Sequence, residues 1–161
     1  LGLGHKKDRA SPTRVGAGKS WASLSVGMFN TCAMRTDGTL WCWGGNYYGQ
    51  LGDGTKKEKL APLRVGASST WRTVATGGGH TCGTRTDGTL WCWGSRLGTD
   101  GTVTRPTRVG VRSDWETISA GMWMSCATRT DDTLWCWGHD YSGALGLGGA
   151  WLNRPVKALM P

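Results

Sequence analysis

Residues 31–44 read Thr-Cys-Ala-Met-Arg-Thr-Asp-Gly-Thr-Leu-Trp-Cys-Trp-Gly, and this stretch decides the fold because closely similar copies recur at residues 81–94 and 125–138. Each copy carries two cysteines ten positions apart and ends in Trp-Cys-Trp-Gly. A second motif, Pro-x-Arg-Val-Gly, precedes every copy at residues 12–16, 62–66 and 106–110, so the copies are spaced by 50 and 44 residues. A period of this size predicts stacked supersecondary units, most often the blades of a β-propeller.

Each copy reads as a β-hairpin whose turn determines its register. The loop at residues 36–38, with its glycine in the left-handed conformation of a G1 bulge, pairs Arg35 with Thr39. This register places the two cysteines of a copy directly opposite each other and predicts three disulfides within hairpins. The predicted pairs are Cys32 with Cys42, Cys82 with Cys92, and Cys126 with Cys136. In the third copy Asp132 replaces the glycine, and Asp is one of the few other residues that adopt this conformation at low cost.

The same register predicts a hairpin that is nonpolar on both faces. Trp41 lies opposite Ala33 and Trp43 opposite Thr31, on the face that the cysteines do not occupy. Such a sheet needs a neighbour on each side, as a propeller blade has. Segments 21–27, 71–77 and 115–121 read as one further strand, and the proline motif as another.

We therefore predict an all-β chain of about three four-stranded propeller blades, forming a partial ring or part of a larger ring. Residues 1–161 form a single repeat region. The predicted repeats cover approximately residues 12–61, 62–105 and 106–154, with partial repeats at 1–11 and 155–161.

The composition limits the cellular setting and the chemistry. With 11 Trp and a single Phe, the core has to be built from indole rings. No apolar stretch is long enough for a membrane span and no leader pattern is present, so we expect neither a span nor a signal peptide. Disulfides indicate an oxidising compartment, and we predict an extracellular or secreted protein, with a bacterial surface or periplasm as specific settings. Zinc-type ligand spacing is absent, so we expect no metal and no cofactor.

The formal net charge is +8, from 19 Lys and Arg against 11 Asp and Glu. Most arginines recur in register (Arg14, Arg64 and Arg108; Arg35, Arg85 and Arg129), which indicates a structural role multiplied by the repeat. A solvated basic face and an acidic partner are both compatible with the remaining charge. A nucleic acid is the weakest partner hypothesis, because basic residues are interleaved with acidic ones and no recognition helix is apparent.

Three motifs resemble a known family: Gly-Gly-His80-Thr81-Cys82, Thr-Asp-Gly-Thr-Leu-Trp-Cys-Trp-Gly, and Gly-Gln-Leu-Gly-Asp-Gly at residues 49–54. Over nearly the whole chain they are similar to repeats of the regulator of chromosome condensation family. The resemblance implies four-stranded blades of about fifty residues that close into a ring, commonly of seven. Its cysteine-paired form resembles repeats of secreted bacterial proteins. Three copies are too few for such a ring, so the chain is either a piece of a longer propeller or one of several chains that complete an assembly.

The leading functional hypothesis is a noncatalytic protein-interaction scaffold stapled by intra-hairpin disulfides. Positions at which the copies diverge are the ones that the scaffold leaves free, and they include anchor-type side chains. The candidate binding-loop residues are Met28, Phe29, Asn30, Tyr47, Tyr48, His80, Arg96, Met122, Trp123, His139 and Tyr141. A competing interpretation is that Phe29 and Trp123 only fill space between blades.

Three other classes of function compete with the scaffold hypothesis. A self-assembling subunit of a ring, fibre or surface layer would use unpaired blade edges and faces to bind copies of itself. A carbohydrate-binding or carbohydrate-active propeller would use exposed Trp or Tyr rings. An enzyme is disfavoured and no catalytic residue is predicted, because Asp37, Asp87 and Asp131 are turn residues and no nucleophile-elbow spacing occurs.

Overall fold

The computed structural model describes residues 1–18, 20–95, 101–140, 143, 145 and 152–158. Within these residues the chain forms three four-stranded antiparallel sheets and no helix. The first sheet contains β1 (Trp21–Val26), β2 (Asn30–Arg35), β3 (Leu40–Gly44) and β4 (Lys59–Arg64). The second contains β5 (Trp71–Thr76), β6 (His80–Arg85), β7 (Leu90–Gly94) and β8 (Val103–Arg108). The third contains β9 (Trp115–Ala120), β10 (Met124–Arg129), β11 (Leu134–Gly138) and β12 (Leu152–Lys157).

Each sheet is a meander whose strands are hydrogen-bonded in chain order, as in a propeller blade. The predicted register is confirmed, since Ala33 lies opposite Trp41 and Cys32 opposite Cys42. The three disulfides form as predicted, one within each central hairpin. Among the described residues there is no helix with the length and apolarity that a membrane crossing requires.

The hairpin turn has the predicted conformation. The amide of Arg35 donates to the carbonyl of Thr39 at 2.9 Å, and Gly38 has a φ of 74°. Asp132 takes the same place in the third blade with a φ of 60°. Glycine is needed at Gly88 for a second reason, because a Cβ there would lie 2.1 Å from the carbonyl oxygen of Ser113 in the connection to the next blade.

The blades are offset from the period counted at the proline motif. Pro62 lies in β4, Pro106 in β8 and Pro155 in β12, so this strand closes a blade instead of opening one. The strand predicted at residues 12–16 is wrong, because these residues are not in a strand. A proline-motif strand pairs with the Trp-Cys-Trp-Gly strand of its own blade, and residues 12–16 pair with no strand among the described residues.

The blades pack face to face in chain order, with β5 against β1 and β2, and β9 against β5 and β6. We call the two sides of a blade its Trp face, which in the first blade carries Trp43 and Ala33, and its Cys face, which carries Cys32 and Cys42. The Cys face of the first blade covers the Trp face of the second, and the Cys face of the second covers the Trp face of the third. In the middle blade, which is covered on both sides, Trp93 and Cys82 are fully buried.

The recurring arginines of the second strand are structural, as predicted. The guanidinium of Arg35 lies 4.0 Å from the ring centroid of Trp41, and that of Arg85 lies 3.8 Å from the centroid of Trp91. A cation over an indole face is attracted by the ring quadrupole. The stacks therefore tie the second strand to the third at the turn end of each blade.

Candidate functional site

The candidate binding residues come from two kinds of loop that leave each blade at the same end. In an antiparallel meander the connection between the first and second strands and the connection between the third and fourth strands share one edge of the sheet. We call this edge the loop end; its described segments are 27–29, 45–58, 77–79, 95, 101–102, 121–123, 139–140, 143 and 145. The hairpin turns and the connections between blades lie at the opposite edge, the turn end.

Three tight turns, one per blade, form a continuous row at the loop end. The amide of Met28 donates to the carbonyl of Gly77 at 3.4 Å, and the amide of Gly78 donates to the carbonyl of Met122 at 2.9 Å. Each turn is closed in the same way, for example by the amide of Gly27 donating to the carbonyl of Asn30 at 2.8 Å. The row is therefore a rigid feature of the stacked blades.

The middle turn of this row has to be glycine because the turn of the third blade and an aromatic side chain lie against it. A Cβ on Gly78 would lie 2.6 Å from the carbonyl oxygen and 3.1 Å from Cγ of Met122, and one on Gly79 would lie 2.8 Å from Cδ2 of Tyr48. Tyr48 and Met122 thus fill the space above the middle turn. Phe29, at the position equivalent to Gly79, extends this apolar surface onto the first blade. We call the side chains of Met28, Phe29, Tyr47, Tyr48 and Met122 the loop-end strip.

The loop at residues 45–58 is held by two buried amides that sequence reasoning did not single out as functional. The Nδ2 atom of Asn46 donates to the carbonyls of Thr55 and Lys57 at 3.0 and 3.1 Å, and its Oδ1 accepts from the amide of Leu51 at 2.9 Å. Gln50 Oε1 accepts from the amide of Tyr48 at 2.9 Å. The repeat contained a sequence signal for the role of Asn46. The aligned residue of the third repeat is Asp140, which also lies five positions before a leucine and accepts a hydrogen bond from the amide of that residue, Leu145.

The loop-end strip is exposed as predicted. Phe29 is 59% exposed and Tyr47 86% exposed, and Met28, Tyr48 and Met122 are also exposed. Their binding role stays a prediction.

A cavity of about 630 Å³ lies beside this strip on the first blade. Its apolar wall is formed by Phe29, Tyr47, Tyr48 and Leu60. Two lysines at this cavity are paired within the chain, since Lys6 lies 2.6 Å from Glu58 and Lys59 lies 3.2 Å from Asp53. Asp8 also lines the cavity and has no ion pair with a described residue, so the aromatic surface is accompanied by one uncompensated carboxylate.

Asp53 is a structural carboxylate of the same loop. Burial acts to raise its pKa, but hydrogen bonds from Thr55, Lys59 and Asn46 outweigh burial and lower the pKa from its ordinary value. The carboxylate is thereby kept ionised and engaged with the loop backbone.

Two of the predicted binding-loop residues are buried and lie in strands, so their assignment to loops that the scaffold leaves free is wrong. Asn30 is 3% exposed and His80 is 2% exposed. Both begin the second strand and point from the Cys face into the next blade. Asn30 Nδ2 donates to Thr81 Oγ1 at 3.4 Å, and His80 Nε2 shares a hydrogen bond of 2.7 Å with Ser125 Oγ.

The remaining candidates are less exposed or undescribed. Trp123 and His139 are partly buried, and the amide of His139 donates to the carbonyl of Trp123 at 2.9 Å. Arg96 and Tyr141 lie outside the described residues. In the part of the chain that the structure describes, no three His, Cys, Asp or Glu side chains converge as metal ligands would.

The outer faces of the first and third blades have no covering blade within the described residues. On the Trp face of the first blade Leu24 is 69% exposed and Val26 is 67% exposed, whereas their counterparts in the middle blade, Val74 and Thr76, are covered. On the Cys face of the third blade Cys126 is partly exposed, whereas the equivalent Cys82 is fully buried. The two halves of a blade-to-blade interface are thus present at opposite ends of the row.

Comparisons with known proteins agree with this architecture. Two models of the regulator of chromosome condensation (RCC1) repeat match the chain, one at residues 37–83 and the other at residues 21–50 and 71–102. The fold is similar to that of human WBSCR16, with a TM-score of 0.89 at 25% identity over 99% of this chain and 46% of that chain. No match was found among the curated proteins.

Prp20p of Saccharomyces cerevisiae has the same fold. Its crystal structure gives a TM-score of 0.75 at 21% identity over 88% of this chain and 39% of that chain. A second structure, of Kap60 bound to yeast RCC1 (Prp20), gives 0.73 at 20% identity over 88% and 37%. The chain therefore spans less than half the length of these structural relatives.

Proposed function

Because this chain belongs to the regulator of chromosome condensation repeat family of β-propellers, we propose that it is a noncatalytic scaffold that binds a protein through its loop end. The observation that carries the proposal is the apolar strip on the loop end. Phe29, Tyr47, Tyr48 and Met122 share one end of the blade row and lie on loops that the blades hold rigidly. Aromatic and Met side chains of this kind are enriched at the centres of protein interfaces.

The related propellers support a protein as the partner. Prp20p is described by its binding to Gsp1p and histones, and it has been solved bound to Kap60. These partners belong to the yeast protein. For this chain we propose a partner of the same broad class, a protein surface, without carrying over its identity.

The acidic side chains support a noncatalytic role. Asp37, Asp87 and Asp131 each accept hydrogen bonds from the threonine two positions later, as the predicted turn role requires. Asp53 is engaged in its own loop by Thr55 and Lys59. A glycoside hydrolase would instead need two carboxylates facing each other across a cleft.

We further propose that the protein works outside the reducing interior of a cell. Three hairpin disulfides, with Cys32, Cys42, Cys82 and Cys92 fully buried, support this setting. Disulfides of this kind persist in oxidising compartments.

The loop-end site is tested by selecting peptides from a displayed library on the oxidised protein and measuring each one against the variant Phe29→Ser/Tyr47→Ser. Both side chains are exposed, so the variant should fold normally. We expect selected peptides to bind the variant at least about tenfold more weakly, since interface aromatic residues contribute on the order of 2 kcal/mol.

The matched control is Leu24→Ser/Val26→Ser, which removes two equally exposed apolar side chains from the Trp face of the first blade. Peptide affinity should be unchanged in this control. If no selected peptide distinguishes the loop-end variant from the unmodified protein, the proposed site is wrong.

A second candidate function is self-assembly, and the open blade faces are the observation that favours it. The chain contains two interfaces in which the Cys face of one blade covers the Trp face of the next. These interfaces show how the same two faces would pack between copies. In an assembly, the uncovered Cys face of the third blade of one copy would pack on the Trp face of the first blade of another copy and cover Leu24 and Val26. Copies joined in this head-to-tail manner form a heterologous interface, which generates a ring or a fibre.

Self-assembly is tested by the native mass of the oxidised chain, measured by light scattering after size exclusion at several protein concentrations. We expect the mass to rise with concentration, and we expect Leu24→Glu/Val26→Glu to abolish the rise because it places charges on the apolar Trp face. A constant monomeric mass in the unmodified chain would exclude this candidate and leave the loop-end proposal untouched.

A further inference from the structure

A second concave site lies away from the loop end, between the connection that leaves the second blade and the outer strand of the third. Its volume is about 410 Å³. Trp135, Val111 and Pro155 supply apolar lining, and Arg112 and Arg154 also line the cavity. Val111 is 90% exposed, so the mouth of the cavity carries apolar surface as well as charge.

The two arginines occur together only at the third blade. The position of Arg154 in the outer strand is occupied by Arg105 in the second blade and by Ala61 in the first. The position of Arg112 is occupied by Ser68 and Gly18 in the connections that precede those blades. The pair is thus a departure from the repeat and not a scaffold requirement.

The backbone that carries Arg112 is held in place by the scaffold. Arg108 donates to the carbonyls of Val111 and Arg112 at 2.8 and 3.3 Å, and the equivalent Arg64 donates to the carbonyl of Ala67 at 2.9 Å. Arg112 therefore extends from a fixed turn, which lowers the entropic cost of ordering its side chain on a ligand.

Neither arginine of the pair has its charge strongly compensated within the described residues. Arg112 lies 3.7 Å from Asp114 and its side chain is 55% exposed. Asp114 is hydrogen-bonded instead to Arg129, which holds the pKa of this carboxyl below its ordinary value. Arg154 is exposed and has no ion pair with any described residue.

Arg105 in the second blade provides a contrast. A Cβ on Gly54 would lie 2.5 Å from its guanidinium, so Arg105 packs against the long loop of the first blade. The corresponding segment before the third blade is six residues shorter, since the repeat spacing falls from 50 to 44. Arg154 thus belongs to the third blade, which follows the shorter loop. Its arginine neighbour in the cavity, Arg112, lies on the connection that leads into the same blade.

Arg129, which is hydrogen-bonded to Asp114, stacks less closely on the tryptophan that lines the cavity than the equivalent arginines do on theirs. Arg129 lies 5.1 Å from the Trp135 ring centroid, compared with 4.0 and 3.8 Å for the equivalent stacks in the other blades. The indole N–H of Trp135 is already used, donating to Thr133 Oγ1 at 2.7 Å. Trp135 therefore contributes apolar ring surface to the cavity.

The geometry points to a binding site for an acidic peptide segment, with a carboxylate held by Arg112 and Arg154 and a neighbouring apolar side chain packed on Trp135. Guanidinium groups bind carboxylates through paired hydrogen bonds. The apolar wall favours a peptide over a small inorganic anion, because an inorganic anion has no apolar group to bury. This site is independent of the loop-end strip.

The test uses two acetylated and amidated peptides, Ala-Glu-Phe-Glu-Ala and Ala-Gln-Phe-Gln-Ala, titrated into the oxidised chain by calorimetry. We expect the glutamate peptide to bind about tenfold more tightly than the glutamine peptide, and Arg112→Ser and Arg154→Ala each to remove most of that preference. The substituted residues are the ones found at equivalent positions of other blades. Binding should also weaken as salt is raised.

The control Arg105→Ala makes the same change in the second blade and should leave affinity unaltered, as should the loop-end variant Phe29→Ser/Tyr47→Ser. The proposal is overturned if neither peptide binds, if the glutamine peptide binds equally well, or if the two arginine variants bind like the unmodified chain. Displacement of the peptide by an equal concentration of inorganic phosphate would also overturn it, since the site would then recognise a small anion alone.

Discussion

Reduction of the three disulfides is expected to lower the free energy of unfolding by roughly 8 kcal/mol, because each bridge closes an eleven-residue loop and contributes about 2.8 kcal/mol in the chain-entropy model. This sum is within the range of about 5 to 15 kcal/mol that is the entire stability of a typical domain. We therefore expect the reduced chain to be largely unfolded at neutral pH. The measurement is urea unfolding followed by tryptophan fluorescence, with and without dithiothreitol.

Removing one bridge should reproduce about a third of this effect. The double variant Cys82→Ala/Cys92→Ala deletes the bridge of the middle blade and leaves the other two intact. Unchanged urea midpoints for the reduced protein would contradict the prediction.

Because Cys126 is partly exposed while Cys32 and Cys82 are fully buried, the third bridge should also be the first to react with the reductant.

Stability is expected to fall by about 3 kcal/mol as the pH drops from 7 to 4, because of one buried histidine. Burial lowers the pKa of His80 from 6.5 to about 4. Its contacts include Ser125, Met124 and Gly77, and none of these carries a charge that would stabilise an imidazolium. The unfolded chain therefore binds a proton between pH 6.5 and 4 that the folded chain does not, and stability decreases as the pH falls through this window.

The variant His80→Asn provides the matched control, because Asn30 occupies the equivalent position in the first blade and donates to Thr81. We expect this variant to keep the contact between blades and to lose the slope of stability between pH 6.5 and 4. An equal slope in the two proteins, measured by urea unfolding at several pH values, would show that His80 is not its source. Carboxylates such as Asp87, whose pKa is lowered by hydrogen bonds from the side chain and amide of Thr89, should act only at lower pH.

Much of the fold was predictable because it rests on short-range geometry. A three-residue turn and the alternation of side chains along a strand suffice to place Cys32 opposite Cys42 and Trp41 opposite Ala33. The left-handed conformation of Asp132 follows from its alignment with Gly38 and Gly88. The number of blades follows from counting the copies.

The candidate site was predictable only in part. Divergence between copies identified Phe29, Tyr47 and Met122 as positions that the scaffold leaves free. It failed for Asn30 and His80, because divergence reports that a position tolerates change and does not report whether another blade covers it. The register itself carried the missing signal, since both residues share the Cys face with the buried cysteines.

The sequence by itself determined the central hairpin of each blade, its register and the disulfide pairing, since each depends on residues within about a dozen positions of each other. Only the tertiary structure decided which strand closes a blade, which divergent residues face solvent, and that Arg112 and Arg154 line one cavity. These features depend on contacts between segments roughly 15 to 50 residues apart, whose partners no local pattern identifies. Packing of one blade on the next therefore converts a repeated hairpin into distinct surfaces, and the proposed functions reside on those surfaces.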